Sequence, residues 1–249
     1  MRIKKTIFVL SIVLLIIFTS IPVYASPTVV PAYDEDYIKN TANTTPMTMT
    51  AGAYVPIDAQ QNIQENSEKI ARSIEIYKSN PTQPRSAYWV TLPGSFYLYD
   101  QTTSYYCVPA SVQGILRYIN GSTDSQSTIA TALGTSSQTG TDITLVPTYL
   151  NSKQSKNYYI WVNRTSNLLY STKVNIDLYE SPVMYRMVFS SSDGWAYSTS
   201  GHAMNACAIM SDESSVLLAD PWMGYAGLGS GSYTKSGSTV YNANTHLIW

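Results

Sequence analysis

Four residues of this 249-residue chain have types and spacing suited to acyl chemistry through sulfur. Cys107 opens a helix predicted from about Tyr106 to Ile119, with Pro109 in its first turn, where proline is tolerated. A thiol at a helix N-terminus feels unpaired N–H groups and the positive end of the helix dipole. Both favour the thiolate, which is the nucleophilic form. Gln101 lies six residues upstream. Its side-chain amide, with the Cys107 backbone N–H, can donate to an oxyanion formed beside the sulfur. His202 and Asp220 come from a predicted hairpin: a strand of small and apolar residues over 201–210, a polar turn over 211–214, and a second strand from Val216 closed by Asp220-Pro221-Trp222. The start of the first strand of a hairpin lies beside the end of the second, so His202 and Asp220 are expected to be neighbours. A carboxylate beside an imidazole fixes its tautomer and stabilises the imidazolium.

Each residue has a plainer role open to it. Cys107 and Cys207 are the two cysteines of the chain, and in an exported protein two cysteines can simply pair. The period of two along a strand opposes this, because 207 − 202 is odd: if His202 faces Cys107, Cys207 faces away. His202 can be a buried strand histidine, Asp220 a turn residue before proline, and Gln101 a turn cap. A zinc site from Cys107, Cys207, His202 and His246 lacks the close-paired spacing such sites show, so no metal or other cofactor is expected. His246 reads as structural. Trp222, Gly224 and Tyr225 read as cleft lining or as ordinary loop residues.

Gln101, then Tyr106-Cys107-Val108-Pro109-Ala110-Ser111, then Gly201-His202-Ala203, then Ala219-Asp220-Pro221-Trp222 together resemble the bacterial C39-like peptidases of the papain-type cysteine peptidase clan. The resemblance spans about residues 86–249. It implies an α+β, papain-like fold, with a helical lobe carrying the cysteine helix and a C-terminal antiparallel sheet carrying His and Asp. It assigns Cys107 as nucleophile, His202 as general base and acid, Asp220 as orienter and Gln101 as oxyanion donor. The family usually has glycine after the cysteine. Val108 stands there instead, and a β-branched residue is expected to narrow the cleft beside the sulfur.

The elements that must position these residues follow from pattern. Tyr88–Leu92 and Ser95–Tyr99 read as strands around Pro93-Gly94. Asn120-Gly121 ends the cysteine helix. Further helices are expected at Ser125–Leu133, Asp142–Asn151 and Ser166–Leu178. Strands are expected at Asn157–Asn163, Val183–Phe189, Ala203–Met210, Val216–Ala219 and Thr245–Ile248. Helices first and strands later suggest α+β with an antiparallel sheet. Upstream, Asp58 and Gln61 resemble a capping box before a helix whose apolar stripe is Ile63, Ile70, Ile74 and Tyr77, stopped by Asn80-Pro81. That helix is expected either to cover the cleft as a propeptide or to pack on the back of the domain. Residues 26–56 lack periodicity and read as flexible, and 39–53 as a linker or processing site.

The N-terminus reads as an address. Three basic residues lead a 12-residue apolar run, too short for a bilayer, and Val23-Tyr24-Ala25 offers a cleavage site after Ala25. The expected organisation is a signal peptide over 1–25, an extension over 26–85 and a peptidase domain over 86–249, secreted or associated with the cell wall, with no stable membrane insertion after signal removal. A formal net charge of −1 leaves no electrostatic footprint for nucleic acid. The expected partner is a peptide or protein substrate. The competing expectation is a papain-like fold with its site unused, binding peptide or glycan at the cell surface through its 21 tyrosines.

Overall fold

The computed structural model describes residues 29–32, 51–79 and 86–249. The expected signal peptide, residues 39–50 of the expected linker and the helix stop at Asn80-Pro81 lie outside the described residues. In chain order the elements are β1 (Val29–Ala32), β2 (Ala53–Tyr54), α1 (Ile63–Ser79), β3 (Trp89–Thr91), β4 (Phe96–Tyr99), α2 (Cys107–Asn120), α3 (Gln126–Ala132) and β5 (Thr141–Asp142). They continue with α4 (Val146–Lys153), β6 (Trp161–Asn163), α5 (Leu168–Asp177), β7 (Val183–Phe189), β8 (Thr199–Met210), β9 (Ser215–Ala219), α6 (Pro221–Tyr225), β10 (Ser232–Ser236), α7 (Gly237–Ala243) and β11 (Asn244–Ile248).

Seven strands form one sheet in the order β10-β9-β8-β7-β11-β6, with β3 also paired to β8. Every pairing in it is antiparallel. The architecture is α+β. β3 and β4 are both strands, but they do not pair with each other: β3 joins β8, while β4 pairs in parallel with β1.

α2 has a local reason to begin and end where it does. Its N-cap, Tyr106, supplies no side-chain acceptor, so the first-turn N–H groups keep no cap. Gly121 takes a left-handed φ of 72° and returns its N–H to the Arg117 carbonyl, a glycine C-cap. Cys107, Val108, Val112, Ile115 and Leu116 bury the helix in a cluster that also holds Ala203 and Met184 of the sheet. Asn205 of β8 donates to the Ser111 carbonyl at 3.0 Å and ties the sheet to this helix. Val108 is wholly buried in the same cluster. Its branched side chain packs in the cluster that also buries Cys107.

The extension differs most from expectation. Residues 26–56 read as flexible, yet Val29–Ala32 and Ala53–Tyr54 are strands, the second in parallel pairing with β5. α1 starts at Ile63, and Asp58 and Gln61 do not box its N-terminus. The Gln61 side chain instead accepts from the Asn163 N–H at 3.1 Å, and Asn62 exchanges two hydrogen bonds with the Trp161 backbone. The predicted stripe is only half right. Ile63 and Ile74 are 62 % and 39 % exposed, while Ile70 and Tyr77 pack on the core. The buried face is carried by polar contacts: the Ser73 and Tyr170 hydroxyls, Tyr77 donating to Asp177, and Trp249 donating to Asn66. α1 thus lies against α5 and the C-terminal residue.

Candidate active site

The hairpin of β8 and β9 positions His202 and Asp220. Ala219 pairs with Asn205. Continuing that register puts Asp220 level with Met204, a diagonal neighbour of His202 on the same face. His202 Nε2 lies 2.7 Å from Asp220 Oδ1, and both side chains are fully buried. Asp220 also accepts from the Trp222 N–H at 2.9 Å, capping α6, so its turn role and its contact with the histidine coexist. Its other oxygen accepts from the Tyr197 hydroxyl at 2.8 Å and the Tyr233 hydroxyl at 2.7 Å.

These contacts set the charges. Burial opposes ionisation of Asp220, but the His202 charge and the hydrogen bonds from His202, Tyr233 and Tyr197 outweigh it and hold the carboxyl below its ordinary value. Burial likewise pulls the His202 pKa down. The Asp220 charge and hydrogen bond, with the hydrogen bonding and charge of Cys107, outweigh that and lift it from 6.5 to about 9. Nδ1 of the ring meets no partner of full hydrogen-bond geometry, while the Cys107 thiol acts on the ring through hydrogen bonding and charge. With Nε2 committed to a carboxylate, Nδ1 is the nitrogen left to exchange a proton with sulfur.

Cys107 and Cys207 are both free and buried. They sit in separate clusters, Cys107 beside Ala203 and Cys207 in the larger core with Tyr185 and Leu218. The pleat parity used to separate them is altered locally, because the β8–β9 register shifts between Ala206 and Ala208, at Cys207 itself. Burial pushes the Cys207 thiol well above its ordinary pKa.

Gln101 is fully buried on the loop between β4 and α2, held by its N–H on the Pro221 carbonyl at 2.9 Å. Its side-chain nitrogen donates to the Thr103 carbonyl at 2.6 Å. An amide nitrogen carries two N–H groups, and this bond uses one of them. Gln126 braces this loop through Asp100 O and Thr102 N.

Tyr197 and Tyr233 were not singled out from sequence. Tyr233 lies on β10, whose approach over 227–231 is rich in glycine and reads as loop. The one available signal was strand alternation after Gly231. Tyr197 carried none. His246 is held by Thr245 and the sheet; burial and the Arg186 charge lower its pKa to about 4. Trp222 is buried against Tyr225 and Tyr197, and Gly224 sits where a side chain would strike the Asp100 carboxylate. No group of three or more metal-ligating side chains occurs among the described residues. Among them, too, no helix is long and apolar enough to cross a membrane.

Fold and site together define an α+β protein with a buried thiol at a helix N-terminus beside a carboxylate-paired histidine on an antiparallel sheet. No family model matches the chain. No curated protein matches it. Among solved structures it is similar to the peptidase domain of Streptococcus ComA, a bi-functional ABC transporter involved in a quorum-sensing pathway. The identity is 14 %, the TM-score 0.43, and the match covers 61 % of this chain and 95 % of that one. A likeness so distant transfers no residue role.

Proposed function

We propose that this chain is a cysteine peptidase or amidase of the C39-like type, with Cys107 as nucleophile, His202 as base and acid, Asp220 as orienter and Gln101 as oxyanion donor. The observation that carries the reading is the bridged histidine. Asp220 holds Nε2 at 2.7 Å, which leaves Nδ1 for the thiol at the uncapped start of α2. His202 takes the Cys107 proton to give a thiolate–imidazolium pair. The thiolate attacks an amide carbonyl, and the oxyanion rests on the Gln101 amide and the Cys107 N–H. His202 then protonates the leaving amine, and water releases the acyl group from sulfur. An amine in place of water would make the same chemistry an acyl transfer, which product analysis separates from hydrolysis.

The proposal extends to a signal peptide over 1–25, an extension over 26–85, a catalytic unit over 86–249, and work outside the cell. A second reading, a peptide- or glycan-binding module with the site unused, is favoured by one observation: the Cys107 side chain is 0 % exposed. Cys107→Ala decides between them. Loss of hydrolysis with the fold retained, measured as new N-termini released from a peptide mixture, supports the peptidase. Undiminished hydrolysis sinks it, and retained ligand binding without any hydrolysis in the native chain supports the module.

A further inference from the structure

A thiol with no exposed surface must be uncovered before it can meet a peptide, and the cluster that buries Cys107 includes Ala53 of β2. β2 crosses from the helical side of the molecule to the sheet. On one side it runs parallel to β5, with Ala53 level with Thr141 and Tyr54 with Asp142, and the Thr141 N–H donates to the Gly52 carbonyl at 2.9 Å. On the other side, Arg186 Nε donates to the Ala53 carbonyl at 2.8 Å. Ala53 is buried in the cluster that contains Cys107, Val108 and Ala203. Arg186 of β7 pairs with Ala203 of β8, and Ala203 packs in that same cluster as Cys107 and Ala53.

The two glycines that flank this segment explain how it fits. A Cβ on Gly140 would collide with the Gly52 backbone, and one on Gly201, the residue before His202, would collide with the Ala53 carbonyl. Main chain therefore lies directly on main chain at both walls. That is how an extended peptide is held by strand addition: backbone hydrogen bonds give affinity, and the sequence of the guest matters little where no side chain intervenes.

We infer that residues 52–54 occupy the groove through which a peptide substrate reaches Cys107, so that the chain folds with its own segment as occupant and becomes active when that segment leaves. The inference rests on the peptidase reading above. It assigns Thr141 N–H and Arg186 as the donors that hold the main chain of an incoming extended peptide. It also separates two roles within the extension: α1 packs on the back of the domain, while the strand before it covers the site.

The test is the rate at which iodoacetamide alkylates each cysteine of the full chain, followed by mass. Ala53→Arg places a long cation where a buried methyl sits and should expel the strand. Cys107 alkylation should rise at least about tenfold, as expected when a local cover opens without global unfolding, while Cys207 stays protected. A synthetic peptide of residues 50–57 added in excess should restore protection. Because Ala53→Arg can unfold the chain, which Cys207 would report, a Gln61→Ala/Asn62→Ala pair provides a milder release. It removes the anchors on Asn163 and Trp161 and should raise Cys107 alkylation about threefold. Native alkylation rates in the folded variants overturn the inference. A thiol that becomes reactive but releases no new N-termini from a peptide mixture leaves the cover standing and sinks the peptidase reading instead.

Discussion

Asp220 accepts four hydrogen bonds, from His202, Trp222, Tyr197 and Tyr233, and every one of them favours its anionic form. Asp220→Asn keeps the shape and removes the charge, so it tests what that charge does to His202. In the native protein the ring has been lifted to about 9. Being raised, its protonated form contributes stability fully below the ordinary value near 6.5, and that contribution is lost as the pH rises through about 9. In the proposed mechanism the imidazolium is also the acid that protonates the leaving amine. If the proposed mechanism holds, the alkaline limb of kcat/KM should fall near pH 9 in the native protein and move to lower pH in Asp220→Asn, with kcat reduced by about 10³–10⁴, as for loss of a triad carboxylate. An unchanged limb in a pH–rate profile would show that Asp220 does not set the histidine. The His202–Asp220 pair is legible in sequence because the ends of a hairpin must meet. Tyr197 and Tyr233 are not, because a tyrosine reaching a carboxylate from another strand leaves no periodic trace.

α2, the helix that begins at Cys107, is held by a close approach that sequence does not announce. Gly114 lies mid-way along α2, where alanine would ordinarily be favoured by about 1 kcal/mol. A Cβ there would stand 2.8 Å from the Phe96 ring and 3.0 Å from the Tyr97 carbonyl of β4. The backbone carbonyl cannot swing aside, so the helix must. Gly114→Ala is expected to cost about 1–3 kcal/mol despite its helix propensity, read as a lower denaturation midpoint. It should also reduce kcat, since β4 leads into the Gln101 loop and α2 begins at Cys107. A stabilised protein with native activity would refute the close packing of α2 on β4. The long elements α2, α5, β7 and the β8–β9 hairpin are legible because long apolar runs end at turn residues; β8 is buried on both faces from Gly201 to Ile209, and α2 at every residue from Cys107 to Leu116. β2, β5 and β10 are short, or bounded by glycine and serine, and owe their strand form to a neighbour that sequence alone does not supply. The polar inner face of α1 shows the converse: its isoleucines suggest one stripe, while Asn66, Ser73 and Tyr77 make the specific contacts.

At the scale of the whole molecule, residues 51–79 and residues 86–249 share a surface that neither could leave open. The edge of β6 is covered by Gln61 and Asn62, which removes an unpaired strand edge. Trp249 is fully buried, exchanges backbone hydrogen bonds with Ile160, and donates its ring N–H to Asn66 of α1 at 3.0 Å. The Lys69 ammonium sits 4.5 Å from the centre of the Trp249 ring, and the same amine donates to the Tyr158 carbonyl at 3.1 Å. The boundary expected at residue 86 does not separate cores. Trp249→Ala in the full chain should therefore cost about 3–5 kcal/mol, the range for a buried tryptophan. At about 2–4 °C per kcal/mol for a chain of this size, the melting temperature should fall by roughly 6–20 °C. Ile63→Ala, on the exposed side of the same helix, should stay within about 0.5 kcal/mol of the native chain. If both variants melt with the native protein, α1 is an appendage and residues 86–249 fold without it. If Trp249→Ala alone loses stability, any event that frees Cys107 must release the strand at 52–54 while α1 stays docked.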